Sequence, residues 1–370
     1  MTRVTLAHDY LTQRGGAERV ALVLTSVFPG ADLYTSLYEP ELTYPEFLGV
    51  RVVTSPLNKV GLFRRKFRFA LPFFGAAFDH AHVDPSAEVV VVSTTGFAHG
   101  IRTDAPKVVY CHSPARFLYL VDEYLGTRWW RTPTGWGLML LRPWLVRWDQ
   151  RAARQAATYL CNSTLVQRRI KDIYGIDASV VHPPAALDPG GPREPLPTLH
   201  GWEGYHLLVS RLLPYKNVAT AVDAFRQLPD ERLLVVGSGP LRDQLMAELP
   251  PNVRLAQGIT DAQLRTAYAG ATAVIAPSHE DFGLTPVEGF SFGVPALALR
   301  AGGYLDTVVD GTSGWFFDAP TADDIAAAVR HLTENPIDRG RTLQHAQRFT
   351  PEAFAASIRG IVDQIAGGSR

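Results

Sequence analysis

The chain has 370 residues, 46% of them hydrophobic and 19% charged, at a mean hydropathy of −0.01. That length exceeds what one core usually organises, and the balance excludes both wholesale disorder and a multi-span membrane protein. Lys+Arg and Asp+Glu number 36 each, which argues against a chain-wide nucleic-acid footprint, yet residues 1–185 hold 21 basic against 15 acidic side chains and the remainder 15 against 21.

Taken in order, residues 4–7 read as a strand, residues 8–16 as a polar loop ending in Gly15-Gly16, and residues 17–28 as a helix. No charged leader with an apolar core precedes them and no apolar run reaches 18–20 residues, so the expectation is a cytoplasmic chain without a signal peptide or membrane span. Residues 61–78 gather Arg64, Arg65, Lys66 and Arg68 among six phenylalanines. Basic plus aromatic composition fits either the surface of an anionic membrane or a solvated helix with aromatics in the core. Trp129, Trp130, Trp136, Trp144 and Trp148 would extend such a contact or pack inside.

Strands follow at 88–93, 107–111 and 158–161, with a helix over 163–174 that Asn162-Ser163 opens. Cys111 and Cys161 stand within these strands at no metal-ligand spacing and read as reduced core residues. Residues 183–201 carry six prolines and three glycines and form a linker. Beyond it, strands at 206–210, 232–236, 253–256 and 273–277 alternate with helices at 218–227, 241–249, 261–269 and 286–292. Apolar runs alternating with helices predict α/β architecture with parallel sheets.

Several segments carry chemistry. Arg211 and Lys216 follow a strand, and a planar guanidinium fork with a compact ammonium suits a diphosphate, although two loop cations also fit a solvated surface. Gly237 belongs to a Val-Gly-Ser-Gly-Pro turn that lacks the third glycine of a dinucleotide fingerprint. Residues 279–314 place Glu280 and Glu288 eight apart across a loop entering a helix. Thr285-Pro286-Val287-Glu288 predicts a capping box with Thr285 as N-cap, which would make Glu288 a helix-start residue. Gly283 before it allows close approach of a ligand to the backbone. His112, in Cys-His-Ser-Pro-Ala-Arg, lies at the end of a strand, where sites of open α/β folds collect.

This combination resembles glycosyltransferase family 4, the retaining nucleotide-sugar enzymes of GT-B fold. The matching pieces over roughly residues 206–320 are Ser-Arg-Leu…Lys, Val-Gly-Ser-Gly-Pro, Glu280…Glu288, Gly293-Val294-Pro295 and Gly302-Gly303. The resemblance implies two Rossmann-like parallel-sheet domains facing across a cleft. It implies that Arg211 and Lys216 neutralise a donor diphosphate, that Glu288 holds ribose hydroxyls and that Glu280 sits beside the transferred sugar. Backbone N–H groups around Phe282, Gly283, Leu284 and Thr285 would meet sugar or phosphate oxygens, with Gly237 beside them. Gly15 and Gly16 would lie against the donor, His112 would contact the transferred sugar, and Arg116 with the 64–68 cations would belong to the acceptor or membrane side. Asp306 stands where many members carry Glu, and Gly289-Phe290-Ser291-Phe292 where small alanines are commoner.

The N-terminal wording, His-Asp-Tyr-Leu…Gly-Gly-Ala-Glu-Arg-Val with Cys-His-Ser-Pro, is similar to mannosyltransferases of O-antigen and related polysaccharides. It implies transfer from GDP-mannose to a glycan or lipid-linked acceptor, and the 61–78 segment with the basic balance of residues 1–185 favours peripheral contact with the inner face of the plasma membrane. The domains expected are 1–185, a linker over 186–201, 202–348 and a terminal helix over 349–370 that packs back on the first domain. No Asp-x-Asp motif occurs, so no metal or other cofactor is expected, the nucleotide-sugar being a co-substrate. A UDP-sugar enzyme, an epimerase or phosphorylase on the same fold, and a sugar-nucleotide-binding scaffold without turnover are the alternatives. No nucleic-acid partner is expected.

Overall fold

The computed structural model describes residues 2–122, 129–131 and 133–368. They form two compact units, one made of residues 1–183 and 351–370 and the other of residues 184–350. Each is a parallel sheet with helices on both faces, as a Rossmann-like domain requires.

In the first unit the strands are β1 (Val4–His8), β2 (Leu33–Thr35), β3 (Val52–Thr54), β4 (Val89–Thr94), β5 (Lys107–Cys111), β6 (Thr158–Cys161) and β7 (Ser179–Val180). Their spatial order is β3-β2-β1-β4-β5-β6-β7, all parallel. Successive side chains of a strand point to opposite faces, and β4 shows it: Val90 and Val92 enter one core while Val89 and Val91 enter the other. The first core takes Phe74, Phe78, Trp148 and Tyr159. The second takes Val20 and Leu24 of the helix Gly16–Val27, together with Phe354, Ile358 and Val362 of the helix Pro351–Gly368. That spacing of four places one apolar stripe of the last helix on the sheet. Cys111 and Cys161 are buried in neighbouring strands.

The second unit holds β8 (Tyr205–Val209), β9 (Leu233–Val236), β10 (Val253–Ala256), β11 (Ala271–Ala276), β12 (Ala296–Leu299) and β13 (Gly314–Phe317), in the order β10-β9-β8-β11-β12-β13. Its core is built on runs such as Leu233–Val236, apolar at every position because both faces are covered. Fully burying a side chain such as Phe225 contributes about 2 kcal/mol. In both sheets the chain order reverses direction once, between β1 and β4 in the first and between β8 and β11 in the second. Crevices outside the carboxyl ends of strands at such reversals are where open α/β sheets bind ligands.

Candidate active site

In the second unit, the segments leaving β8 and β11 meet at the reversal point. β8 runs into the 3-10 turn Pro214–Lys216, where Lys216 is buried. Its ammonium pairs with Glu280 Oε1, and the Ser278 hydroxyl donates to the same oxygen at 2.6 Å. Asn217 has φ 54° and is the one non-glycine residue in the left-handed region among the described residues. Its Nδ2 donates to the Pro277 carbonyl at 2.9 Å, tying the Lys216 turn to the end of β11. Arg211 is exposed, and its Nη2 donates to the Tyr215 hydroxyl at 3.0 Å, while Lys216 Nζ lies 5.1 Å from the centroid of the same ring. Tyr215 thus connects the two cations that the sequence places five residues apart.

The helix Leu284–Ser291 does not start as its sequence suggests. Gly283 is its N-cap, with φ 89°, and no side-chain cap forms, so Thr285 and Pro286 are its second and third residues and the expected capping box is absent. The left-handed glycine turns the chain two residues early, and Pro286 falls among the first residues, whose N–H groups have no helical partner. Glu288 is therefore not a helix-start residue. Its Oε2 accepts a 2.7 Å hydrogen bond from the buried Tyr268 hydroxyl, whose pKa burial, and then the Glu288 charge, push well above 10. Phe282 turns its ring into the core against Phe349. At Gly283 a β-carbon would lie 2.2 Å from the Tyr304 ring, and at Gly303 it would lie 2.4 Å from the Asp281 carbonyl oxygen. The Gly302-Gly303 turn therefore carries the 280–283 loop directly on its backbone. Gly237 is similar: its β-carbon would lie 1.8 Å from the Ser210 carbonyl oxygen, so the β9 turn presses on the residue before Arg211.

In the first unit, Gly15 is the N-cap of the helix Gly16–Val27 with no side-chain cap, and the Glu18 carboxylate lies over it, 2.5 Å from where a β-carbon would stand. His112 follows β5; its backbone N–H donates to the Thr94 carbonyl at 2.9 Å and its own carbonyl accepts from Asn162 Nδ2 at 3.1 Å. Ser163 caps the helix Thr164–Tyr174 through the Val166 N–H, 3.2 Å away, as expected of that pair. Arg116 is half-buried at the start of the short helix Arg116–Tyr119.

The description Glycosyltransferase Family 4 matches residues 14–188, and Glycosyl transferases group 1 matches residues 201–352. The chain belongs to glycosyltransferase family 4. It is 32% identical over 145 residues to the GDP-mannose-dependent alpha-(1-6)-phosphatidylinositol monomannoside mannosyltransferase of Mycolicibacterium smegmatis, covering 35% of this chain and 38% of that protein. It is also 32% identical over 181 residues to a glycogen synthase of Actinobacillus pleuropneumoniae serotype 5b, covering 43% and 38%. The matches span 23% to 64% of the lengths of such curated relatives, under two thirds in each. A sucrose-phosphate synthase structure from Thermosynechococcus elongatus superposes with a TM-score of 0.74 at 17% identity, over 99% of this chain and all of the other, and establishes the shared fold.

Within this family-4 chain the motif residues separate by unit. Arg211, Lys216, Gly237, Glu280, Phe282, Gly283, Leu284, Thr285 and Glu288 belong to the second unit, and Gly15, Gly16, His112 and Arg116 to the first. Tyr215, Asn217, Tyr268 and Ser278 are additions that spacing alone does not signal. Of the 64–68 cations, Arg64 is engaged internally, with Glu39 at 2.9 Å and the Asn58 carbonyl at 2.6 Å, while Arg65, Lys66 and Arg68 are exposed. Trp148 is core: it is buried against Gly100, where a β-carbon would meet its ring at 2.4 Å. Trp130, Trp136 and Trp144 are exposed, and the side chain of Trp129 lies outside the described residues.

Proposed function

We propose that this protein is a retaining hexosyltransferase that moves a mannosyl group from GDP-mannose to a sugar hydroxyl of a glycan or lipid-linked acceptor. The observation that carries the reading is the buried Lys216 ammonium at the β8–β11 reversal, held by Glu280 and placed beside the Arg211–Tyr215 pair. A cation set there answers the charge that develops on a departing nucleoside diphosphate. Lys216 and Arg211 stabilise the leaving diphosphate, Glu288 accepts from the ribose hydroxyls, and Glu280 sits beside the transferred sugar; His112, in the first unit, hydrogen-bonds a sugar hydroxyl. The leaving phosphate oxygen takes the acceptor proton on the same face as departure, so the new glycosidic bond keeps the configuration of the old one. Guanine and mannose are favoured by the N-terminal motif wording and by the name of the mycobacterial relative; the alternative is a UDP-sugar-dependent transferase on the same fold.

The acceptor side of this reading includes contact with an anionic membrane surface. It is supported by exposed Leu62, Phe69 and Phe73 among exposed Arg65, Lys66 and Arg68, and by exposed Trp136, Leu140 and Trp144, spaced four apart on the helix Pro133–Ala153. Among the described residues no helix is long and apolar enough to cross a membrane.

The deciding experiment is a thermal-shift series with GDP-mannose, UDP-glucose, UDP-N-acetylglucosamine and the free nucleotides, with Lys216→Ala alongside. A shift with GDP species alone, lost in Lys216→Ala, is the expected result. A shift with UDP species alone overturns the donor assignment, and no shift with any of them overturns the transferase reading.

A further inference from the structure

His112 does not stand alone at the end of β5. Its Nε2 is 2.8 Å from the hydroxyl of Ser93, in the middle of the first unit's sheet. Behind Ser93, on β1, stands His8, which the sheet register pairs directly with Ser93. His8 Nδ1 lies 3.0 Å from Ser93 Oγ and 3.1 Å from the Ser93 carbonyl oxygen. All three residues are buried, and the motif reading assigns a role only to His112.

The protons in this row follow from counting donors and acceptors. A carbonyl oxygen only accepts, so the contact with the Ser93 carbonyl requires His8 Nδ1 to carry a hydrogen. That same N–H then fills one acceptor position of Ser93 Oγ. On the far side of the His8 ring, Nε2 lies 4.0 Å from the buried Glu18 carboxylate. Whether or not Nε2 is also protonated by that neighbour, Nδ1 keeps its hydrogen. Among the described residues Ser93 Oγ has two hydrogen-bond partners, His8 Nδ1 and His112 Nε2. The first is a donor, so the buried hydroxyl hydrogen has one place to go, His112 Nε2. A buried hydroxyl that donates to nothing is costly, which makes this arrangement the stable one.

We infer that His8 and Ser93 are positioning residues that hold His112 as its Nδ1–H tautomer, so that His112 works as a hydrogen-bond donor from Nδ1. For a sugar hydroxyl at this site, a fixed Nδ1–H selects an oxygen lone pair, whereas the other tautomer would present an acceptor and demand the opposite hydroxyl orientation. The tautomer follows from contacts within one unit; only its consequence for turnover rests on the hexosyltransferase reading.

The test is long-range 15N–1H NMR of the full-length protein carrying 15N-histidine, with the His112 signals assigned by their loss in His112→Gln. In the wild type, Nδ1 is expected to be pyrrole-like and Nε2 pyridine-like; a pyrrole-like Nε2 overturns the inference. Ser93→Ala is expected to move His112 toward the Nε2–H form, and Ser93→Thr, which keeps the hydroxyl, to restore the original pattern. An unchanged His112 spectrum in Ser93→Ala overturns it. Should Ser93→Ala not fold, His8→Phe removes the donor that fills Ser93 and is expected to shift His112 in the same direction; no shift overturns the inference. In transfer assays, Ser93→Ala is expected to lower kcat about tenfold with donor KM changed less than about twofold, and Ser93→Thr to recover it. An unchanged kcat in a variant whose tautomer has shifted overturns the positioning role. A wild type that transfers nothing overturns the hexosyltransferase reading instead, while the spectra still decide the tautomer.

Discussion

Lys216 and Glu280 share one proton-rich contact: the ammonium and the Ser278 hydroxyl both donate to Glu280 Oε1, across the boundary between β8 and β11. The pair is pre-formed, and a diphosphate entering there competes with Glu280 for the same cation. The two residues should therefore respond differently to substitution. Lys216→Ala is expected to weaken nucleoside diphosphate binding and to lower kcat by about 10²–10³, the usual cost of removing one preorganised charge-stabilising donor. Glu280→Gln is expected to lower kcat while leaving nucleoside diphosphate affinity unchanged or tighter, because Lys216 is released. Calorimetric titration beside steady-state rates separates the two; equal losses of affinity in both variants would contradict the competition.

Glu288 depends on a residue that no motif includes. Tyr268 is fully buried and spends its hydroxyl on Glu288 Oε2 at 2.7 Å, which fixes where the carboxylate points. Tyr268→Phe keeps the ring and its stacking on Phe292 but removes this hydrogen bond to the carboxylate. Since Glu288 is half-buried and can rehydrate, the stability loss should be only about 1 kcal/mol. Donor KM should rise several-fold with kcat less affected. Thermal melts combined with donor saturation curves test this, and a large Tm loss with unchanged KM would make Tyr268 a packing residue only.

These two cases show what was legible in the sequence. The alternation of short apolar runs and helices was enough for two parallel α/β units, because fully covered strands leave continuous Val/Leu/Ala runs such as Val89–Val92. Three-residue strands such as β2 and β3 are too short for a pattern to repeat. The motif positions Lys216, Glu280 and Glu288 were legible because their spacing is fixed by the loops that carry them. Their partners were not: Tyr268 lies 20 residues from Glu288, and Asn217 is an ordinary residue until its left-handed backbone is seen. The capping box at Thr285 failed for a local reason, since Gly283 admits a backbone turn that competes with side-chain capping. His8 and Ser93 are brought together only by the β1–β4 register, which the sequence does not print.

Glycine substitutions should divide by what the missing β-carbon would meet. At Gly237 it would lie 1.8 Å from the Ser210 carbonyl, a backbone atom that cannot rotate away. Gly237→Ala is expected to cost about 2–3 kcal/mol and to displace the Ser210–Arg211 segment, weakening diphosphate binding as well. At Gly360, exposed within the helix Pro351–Gly368, nothing stands within 4 Å. Gly360→Ala should stabilise the first unit by roughly 0.5–1 kcal/mol through helix propensity. Denaturant unfolding of both variants checks the opposite signs, and equal signs would refute the contact argument.

Asp9, one residue beyond β1, organises the other reversal point. Its carboxylate accepts from the backbone N–H groups of Phe97 at 2.8 Å and Ala98 at 2.6 Å, and from the hydroxyls of Thr95 at 2.9 Å and Thr94 at 3.1 Å. Every partner is a donor, so an acceptor-only group is required. Asp9→Asn turns an NH2 toward a donor and leaves a buried N–H unmatched, at an expected cost of about 1–3 kcal/mol. Hydrogen exchange should localise the loss to the amides of residues 95–98. Unaltered protection there would show that the loop holds without the carboxylate.

The second unit should lose stability in mild acid through His345. Burial pushes the pKa of this imidazole below its ordinary 6.5; the hydrogen bond from Nε2 to the Thr307 carbonyl, 2.7 Å long, opposes that shift and the nearby Arg348 charge adds to it. The folded state thus holds His345 neutral, while the unfolded chain protonates it near 6.5. Where the unfolded state binds more protons, stability falls as pH falls. The contribution is therefore complete above pH 6.5 and is lost progressively as the pH drops from 6.5 toward the lower folded value. His345→Gln keeps a donor for the Thr307 carbonyl but cannot titrate. Melting temperatures of the wild type and His345→Gln between pH 5 and 8 should converge in acid and separate above pH 6.5, with the wild type more stable there. Parallel curves would place the acid sensitivity elsewhere in the chain.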